Sequence, residues 1–258
     1  MNNKNRAKKA RRSIARKALL GAAGLVVTCM IAFFAYVGDY YHADETAIAA
    51  LESSPAVSVV TEADTDDIVF LPQDPKAALI FYPGGKVEHT AYAPLMRDLA
   101  ERGIACALVE MPFNLAVFDI EAADDARDLA ALETLPSDIP WYIGGHSLGG
   151  SMAASHLSAN AESYAGLILF ASYSIEDLSE LDLETLSIYG SNDLVLNAEK
   201  YAESLANLGE GVSELVIEGG NHAQFGSYGE QSGDGSASIS AEDQRQLTAD
   251  FIAQHLLR

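Results

Sequence analysis

The stretch Trp141-Tyr142-Ile143-Gly144-Gly145-His146-Ser147-Leu148-Gly149-Gly150 decides the fold of this chain. It opens with an apolar run typical of a strand, and residues 147–159 have the composition of a helix rich in small side chains. Between them lies the pattern Gly-x-Ser-x-Gly. In this context the pattern predicts a sharp, strained turn that lifts the Ser147 hydroxyl above the edge of a sheet. Side chains at positions 145 and 149 would collide across so tight a turn.

The rest of the chain alternates short apolar runs with helical patterns. Helical spacing predicts helices at 90–102, 121–135, 147–159 and 240–257, the last with a capping box at Ser240. Near-continuous apolar strands between helices are typical of an α/β fold, a doubly wound, mostly parallel sheet with helices on both faces. The predicted strands are residues 57–60, 68–71, 77–82, 104–109, 141–144, 167–171, 186–189 and 214–217.

Two polar residues complete a candidate site around Ser147. A serine hydroxyl is a weak nucleophile until a base takes its proton, and the base needs an acid to orient it. Asp193 follows strand 186–189 and His222 follows strand 214–217. Both therefore lie at carboxyl ends of strands, where open parallel sheets assemble their sites. The sequence predicts a Ser147–His222–Asp193 triad; the alternatives are a turn residue at 193 and an ordinary loop imidazole at 222.

Acyl transfer at a serine also needs two backbone N–H groups aimed at the developing oxyanion. We expect one from Leu148 and the other from Gly85, with Lys86 as the neighbouring candidate in the loop after strand 77–82. Of the other histidines, His146 and His156 are expected to be structural, and for His89 a place in the pocket lining and a place at the surface are equal alternatives. No group of residues has metal-ligand spacing, so neither a metal nor a cofactor is expected.

From about residue 55 to 258 the chain resembles the α/β-hydrolase superfamily, and within it the compact dienelactone-hydrolase-like proteins without a cap. The resemblance implies Ser147 as nucleophile, Asp193 as orienting acid and His222 as base. The chain departs from the pattern where many members have His-Gly in the oxyanion loop. It also has serine where dienelactone hydrolases use cysteine, so their substrate is not carried over. The matching motifs are Tyr82-Pro83-Gly84-Gly85, residues 145–150, Tyr189-Gly190-Ser191-Asn192-Asp193 and Gly220-Asn221-His222.

The spacing of the strands also indicates the character of the pocket. Only 14 residues, 172–185, separate strands 167–171 and 186–189, which is too short for the cap that many relatives insert there. We therefore expect an open pocket bounded by loops 111–118 and 226–240. Such a pocket suits small, extended or lipid-like esters rather than one enclosed substrate.

The formal net charge of −21 is the average of two opposite ends of the chain. The first 17 residues carry eight Lys or Arg and no acid, whereas the other 241 carry eight bases and 37 acids, a balance of −29. Residues 18–37 follow without a charge, and a helix of that length spans about 30 Å, the thickness of a bilayer's hydrocarbon core. The basic flank predicts a cytoplasmic N-terminus.

We therefore expect a cytoplasmic tail at 1–17, a single-pass cell-membrane anchor at 18–38, a stalk at 39–56 with one short helix, and an extracytoplasmic domain at 57–258. Three alternatives to the anchor are a cleaved signal peptide, a lipoprotein signal around Cys29 and a buried core helix. An exit of Ala35-Tyr36-Val37 is a poor cleavage site, and no small residue precedes Cys29.

Together these features predict a membrane-anchored serine hydrolase that cleaves carboxylic esters through an acyl-enzyme. The alternative is a non-catalytic binding or scaffold protein that retains the fold. A triad does not choose among esters, thioesters and amides, or between water and another acyl acceptor. A domain with a balance of −29 repels phosphate, which argues against nucleic acid as a partner.

Overall fold

The structure is a computed structural model that describes residues 3–258, with the side chains of residue 17 and of residues 19–258. It divides into two compact units, Met1–Asp39 and Tyr40–Arg258. The first unit consists of helix α1 (Asn3–Val37). Its segment Leu19–Val37 is long and apolar enough to cross a membrane, a test that a signal sequence also passes. Seven of the eight basic side chains of the predicted tail lie outside the described residues; Lys17 is the exception.

The second unit is built on one eight-stranded sheet. The strands are β1 (Val57–Thr61), β2 (Ile68–Pro72), β3 (Ala77–Tyr82), β4 (Ile104–Leu108), β5 (Trp141–His146), β6 (Gly166–Phe170), β7 (Glu184–Gly190) and β8 (Ser213–Ile217). Their order is β1-β2-β4-β3-β5-β6-β7-β8, and β2 alone runs against its neighbours. All eight predicted strands are confirmed, each end within two residues of its expected position.

Six helices accompany the sheet in this unit. They are α2 (Glu45–Ala49), α3 (Ala93–Ala100), α4 (Ala122–Arg127), α5 (Leu148–Asn160), α6 (Ala198–Ser204) and α7 (Ala241–Leu256). The predicted cap of the last helix is confirmed, since the Ser240 hydroxyl accepts a hydrogen bond from the N–H of Asp243 at 3.0 Å.

The helix predicted at 121–135 is wrong in its second half. Helix α4 ends at Arg127, and only a single 3₁₀ turn, Ala130–Leu132, follows. Leu129 has extended backbone angles and is buried with Leu132 in the core. The turn buries both leucines, so packing in the core decides the local structure here rather than the helical spacing of apolar residues. The like charges of Asp124 and Asp128, four residues apart, also weaken a helix at this point.

The apolar core covers both faces of the sheet because successive strand residues point to opposite sides. Every residue of β3 is fully buried, as expected of a central parallel strand. Phe81 packs on one face with Tyr92 and Phe170. Tyr82 belongs to the core on the opposite face. Because β3, β5, β7 and β8 run parallel, the loops that follow them all lie at the same edge of the sheet.

The segment expected to be a stalk is bound to the domain from Tyr40 onward. Ala47 and Ala50 are buried, and the Arg97 guanidinium donates a 2.7 Å hydrogen bond to the carbonyl of Ala50. Tyr41 pairs with Val87 in a short parallel bridge. The structure thus differs from the expectation because the backbone groups of this segment find partners on the loops of the domain.

Candidate active site

Ser147 occupies the turn between β5 and α5 in a strained conformation. Its backbone angles are φ 53° and ψ −122°, a region that residues with a side chain rarely enter. Two hydrogen bonds hold it there. Its N–H donates to the Phe170 carbonyl at 2.9 Å, and its own carbonyl accepts from the Ser172 hydroxyl at 2.6 Å. The serine is therefore fixed at the carboxyl edge of the sheet.

The two glycines of the pattern meet the backbone of β3 and of the turn itself. A β-carbon on Gly145 would lie 2.5 Å from the carbonyl oxygen of Tyr82 and 2.7 Å from the carbonyl carbon of Gly149. One on Gly149 would overlap the carbonyl oxygens of Tyr82 and Pro83. The expected collision at both positions is confirmed, so the turn admits no side chain at either.

Asp193 and His222 come together at the same edge, as the sequence predicts. The Nδ1 atom of His222 lies 2.8 Å from Oδ2 of Asp193, and both side chains are only 1% exposed. The other carboxylate oxygen accepts the N–H groups of Val195 and Leu196, each at 2.8 Å. With Nδ1 donating to a carboxylate held in this way, Nε2 is the basic nitrogen of His222.

Ser147 and His222 line one pocket of about 240 Å³, together with Leu148, Tyr173 and Asn197 among others. The Nε2 atom of His222 is buried and has no hydrogen-bond partner among the residues that the structure describes, so no bond joins it to the Ser147 hydroxyl. Catalytic contacts of this kind are commonly long before substrate binds. A larger pocket of about 430 Å³ is lined mainly by residues of the loop that follows His222, such as Gln224 and Gly229. Its described lining residues include neither Ser147 nor His222.

Two candidate oxyanion donors, the backbone N–H groups of Leu148 and Gly85, belong to segments that contact each other next to Ser147. Leu148 is the first residue of α5, so its N–H has no acceptor inside the helix. The loop after β3 lies beside it, because a β-carbon on Gly85 would be 2.9 Å from Cδ2 of Leu148. Gly84 donates to the Tyr92 hydroxyl at 3.0 Å and Lys86 donates to the Asn114 carbonyl at 2.7 Å. Within the described part of the chain, the Gly85 N–H has no acceptor, which favours it over Lys86 as the second donor.

A buried tyrosine–histidine pair, which the sequence does not indicate, lies behind these groups. The Tyr92 hydroxyl accepts the Gly84 N–H and lies 2.8 Å from Nδ1 of His146. Since that oxygen already accepts one bond, its proton is available to Nδ1. The pair thus joins the loop of Gly85 to the turn of Ser147. The two residues are 54 positions apart, so no local pattern relates them.

His146 also contacts the proposed base. The ring centroids of His146 and His222 are 4.4 Å apart. Burial lowers the pKa of His146 well below its ordinary value, and the neighbouring imidazole of His222 lowers it further. The neutral His146 ring therefore places no positive charge beside His222.

The structure also brings together Glu121, Asp124 and His156, whose ligand atoms lie within 4.8 Å of one another. The sequence predicts no metal site, and this group is assembled only by the fold. Both nitrogens of His156 already have partners, Glu121 at 2.9 Å and the Tyr164 hydroxyl at 3.1 Å. These contacts account for His156 as a structural residue.

Comparison with known proteins identifies the family of this fold. A model of the alpha/beta hydrolase family matches residues 78–246, about two thirds of the chain. The comparison with curated proteins found no match.

Solved structures share the architecture at low sequence identity. TT1662 of Thermus thermophilus is 18% identical with a TM-score of 0.56, over 78% of this chain and 98% of its own. A predicted CIB-like hydrolase of Thermoplasma acidophilum is 16% identical with a TM-score of 0.54, over 77% and 99%. Carboxyl esterase 2 of the mycorrhizal fungus Tuber melanosporum is 14% identical with a TM-score of 0.59, over 84% and 91%. At these identities the likeness is one of fold.

Proposed function

The chain belongs to the α/β-hydrolase family, and from this premise we propose that it is a membrane-anchored serine hydrolase that cleaves carboxylic esters outside the cytoplasm. One observation carries the proposal. The buried pair of His222 and Asp193 keeps Nε2 of the histidine without a partner among the described residues, in the pocket that also contains the strained Ser147. Nε2 of His146 also has no partner among the described residues, but its Nδ1 lies beside the Tyr92 hydroxyl. Of the two histidines, only His222 combines a buried carboxylate partner with an unpartnered nitrogen at the pocket of Ser147.

The proposed reaction begins when Oγ of Ser147 attacks the carbonyl carbon of the ester. Nε2 of His222 takes the serine proton, and Asp193 stabilises the resulting imidazolium. The N–H groups of Leu148 and Gly85 stabilise the oxyanion of the tetrahedral intermediate. As that intermediate collapses, the C–O bond to the alcohol breaks and His222 protonates the leaving oxygen. Water, deprotonated by His222, then hydrolyses the acyl-enzyme and restores the serine.

The membrane part of the proposal is supported by the apolar segment Leu19–Val37 and by the basic residues that precede it. The positive-inside bias would keep those residues in the cytoplasm and place the domain outside. Protease treatment of sealed vesicles of known orientation tests this. The domain should be digested only in vesicles that expose the extracytoplasmic face, and the protein should resist extraction by carbonate.

Labelling of the active serine tests the chemistry. The full chain, purified in detergent, should react with a fluorophosphonate probe and hydrolyse p-nitrophenyl esters. Ser147→Ala should abolish labelling and lower kcat by about 10⁴ or more. Ser158→Ala, a change at an exposed serine on the same helix, is the matched control and should retain both properties. Wild-type protein that neither labels nor turns over esters would favour a non-catalytic binding protein instead.

A panel of esters of increasing acyl length then addresses the substrate class. An open pocket of about 240 Å³ should accept short and extended acyl chains with similar kcat/KM. A sharp preference for one length would instead indicate an enclosed acyl site that the described residues do not form.

A further inference from the structure

The five residues 40–44 directly after the first unit run beside the loop that follows β3 and form one parallel bridge with it, between Tyr41 and Val87. The Tyr41 N–H donates to the Lys86 carbonyl at 2.8 Å, and the Tyr41 carbonyl accepts from the Glu88 N–H at 2.9 Å. The Ala43 N–H donates to the Glu88 carboxylate at 3.0 Å. These bonds flank Val87, two residues from Gly85, and hold the end of the loop that carries the proposed oxyanion donor.

The same five residues also hold the loop that follows His222. The Asp44 N–H donates to the Ser227 carbonyl at 2.8 Å, and the Tyr41 hydroxyl accepts from the Ser232 N–H at 3.0 Å. The rings of Tyr41 and Tyr228 lie 5.4 Å apart. One short segment is thus hydrogen-bonded to both loops.

A chain of aromatic rings leads from this segment to the base. The Tyr228 ring lies 6.5 Å from that of Tyr92, which lies 5.6 Å from His146. The His146 ring is in turn 4.4 Å from that of His222. The loop itself returns to the base as well, because the Asp234 carboxylate accepts the N–H of Ala223, the residue after His222, at 2.9 Å.

We propose that residues 40–44 form a strap that positions the oxyanion loop and the histidine loop relative to each other, with Tyr41 as its positioning residue. The proposal rests on the proposed function, which assigns an oxyanion donor, Gly85, to the first loop and the base, His222, to the second. Removal of the strap would leave the eight strands of the sheet, the first of which begins at Val57. It would free two loops, the one that carries Gly85 and the one that follows His222. The site would then require residues 40–44 to stay bound to both loops.

The strap is tested in the full chain with substitutions of Tyr41. Tyr41→Ala removes the ring from Tyr228 and the acceptor for Ser232, and we expect kcat for p-nitrophenyl esters to fall about tenfold, with little change in KM, because oxyanion donors act chiefly in the transition state. Tyr41→Phe keeps the ring and should restore most of kcat. Ile48→Ala truncates an exposed side chain on α2 outside the strap and should leave kcat unchanged.

Hydrogen–deuterium exchange provides a readout that does not need activity. In Tyr41→Ala, peptides covering 83–89 and 226–233 should exchange faster than in wild type, while the peptide covering β5 should not change. The strap is overturned if both loops remain protected, or if they are freed and kcat is unaffected. Absence of fluorophosphonate labelling in wild type would reject the proposed function instead, and the exchange data would still decide whether the segment holds the loops.

Discussion

Two buried histidines of the same domain each bond a carboxylate, and only one of these pairs has the features of a catalytic pair. His222 lies 2.8 Å from Asp193, and His156 lies 2.9 Å from Glu121. Each histidine bonds its carboxylate through Nδ1, and each side chain is at most 1% exposed. By distance and burial of the imidazole alone, the two pairs are nearly the same.

They differ in what surrounds the carboxylate and the second nitrogen. The Asp193 side chain is 1% exposed, whereas that of Glu121 is 63% exposed. Nε2 of His156 bonds the Tyr164 hydroxyl, but Nε2 of His222 has no partner in the described part of the chain and lies at the pocket of Ser147. The comparison teaches that the contact between histidine and carboxylate is not enough. A buried carboxylate on one nitrogen, together with an unpartnered second nitrogen at the pocket of Ser147, favours His222 over His156 as a base.

Matched substitutions of the two histidines should give the largest difference in catalytic activity between the two pairs. His222→Gln removes the base, and we expect kcat/KM for p-nitrophenyl esters to fall by about 10³ to 10⁴. His156→Gln disrupts bonds that serve only packing, so it should lower the free energy of unfolding by about 1–3 kcal/mol and leave kcat/KM per folded molecule within a few-fold of wild type.

Circular dichroism, thermal unfolding and ester hydrolysis on the same samples separate these outcomes. A large loss of kcat/KM in folded His156→Gln would contradict the assignment. So would a fully active His222→Gln.

The difference between the pairs also marks what the sequence can predict. The turn of Ser147 and the positions of Asp193 and His222 follow from local patterns, since each residue lies within about five positions of the end of a predicted strand. The bonds of His156 with Glu121 and Tyr164 depend on how α4 and the end of α5 pack. No periodicity encodes them, and the helix predicted over 121–135 was itself wrong beyond Arg127.

Other features of the site depend on contacts between residues that lie far apart in the sequence. The strap is separated from Glu88 by more than 40 residues and from Ser232 by 191, so its polar composition alone indicated a stalk. The sequence already favours Gly85 as the second oxyanion donor, but what separates it from Lys86 is the structure, in which the Lys86 N–H donates to the Asn114 carbonyl. Sequence therefore predicts which elements exist and which edge carries the site. The partners of each loop come only from the three-dimensional packing.

A smaller effect on stability and activity is expected from substitution of Tyr92, which bonds a third buried histidine, His146. Tyr92→Phe removes the bond to Nδ1 of His146 and leaves the buried Gly84 N–H without its acceptor. We expect a loss of about 1–3 kcal/mol in stability and a several-fold decrease in kcat, because the loop of Gly85 loses a fixed point. Thermal unfolding and steady-state kinetics check both. Tyr142→Phe removes a hydroxyl bonded to Glu184, away from the pocket, and should leave kcat unchanged.

The smallest effect concerns the pH dependence of stability, where His146 differs from an exposed histidine. Its pKa in the folded protein is lowered well below 6.5 by burial and by His222, so below pH 6.5 the unfolded chain binds a proton that the folded chain does not. Stability from this group is therefore complete above pH 6.5 and falls as the pH drops, by up to about 1.4 kcal/mol per pH unit. The unfolding midpoint should decrease less between pH 6.5 and 5.5 in His146→Gln than in wild type. His89, also buried with a lowered pKa, remains in both proteins and contributes equally to their slopes, so equal decreases would show that His146 is protonated in the folded state.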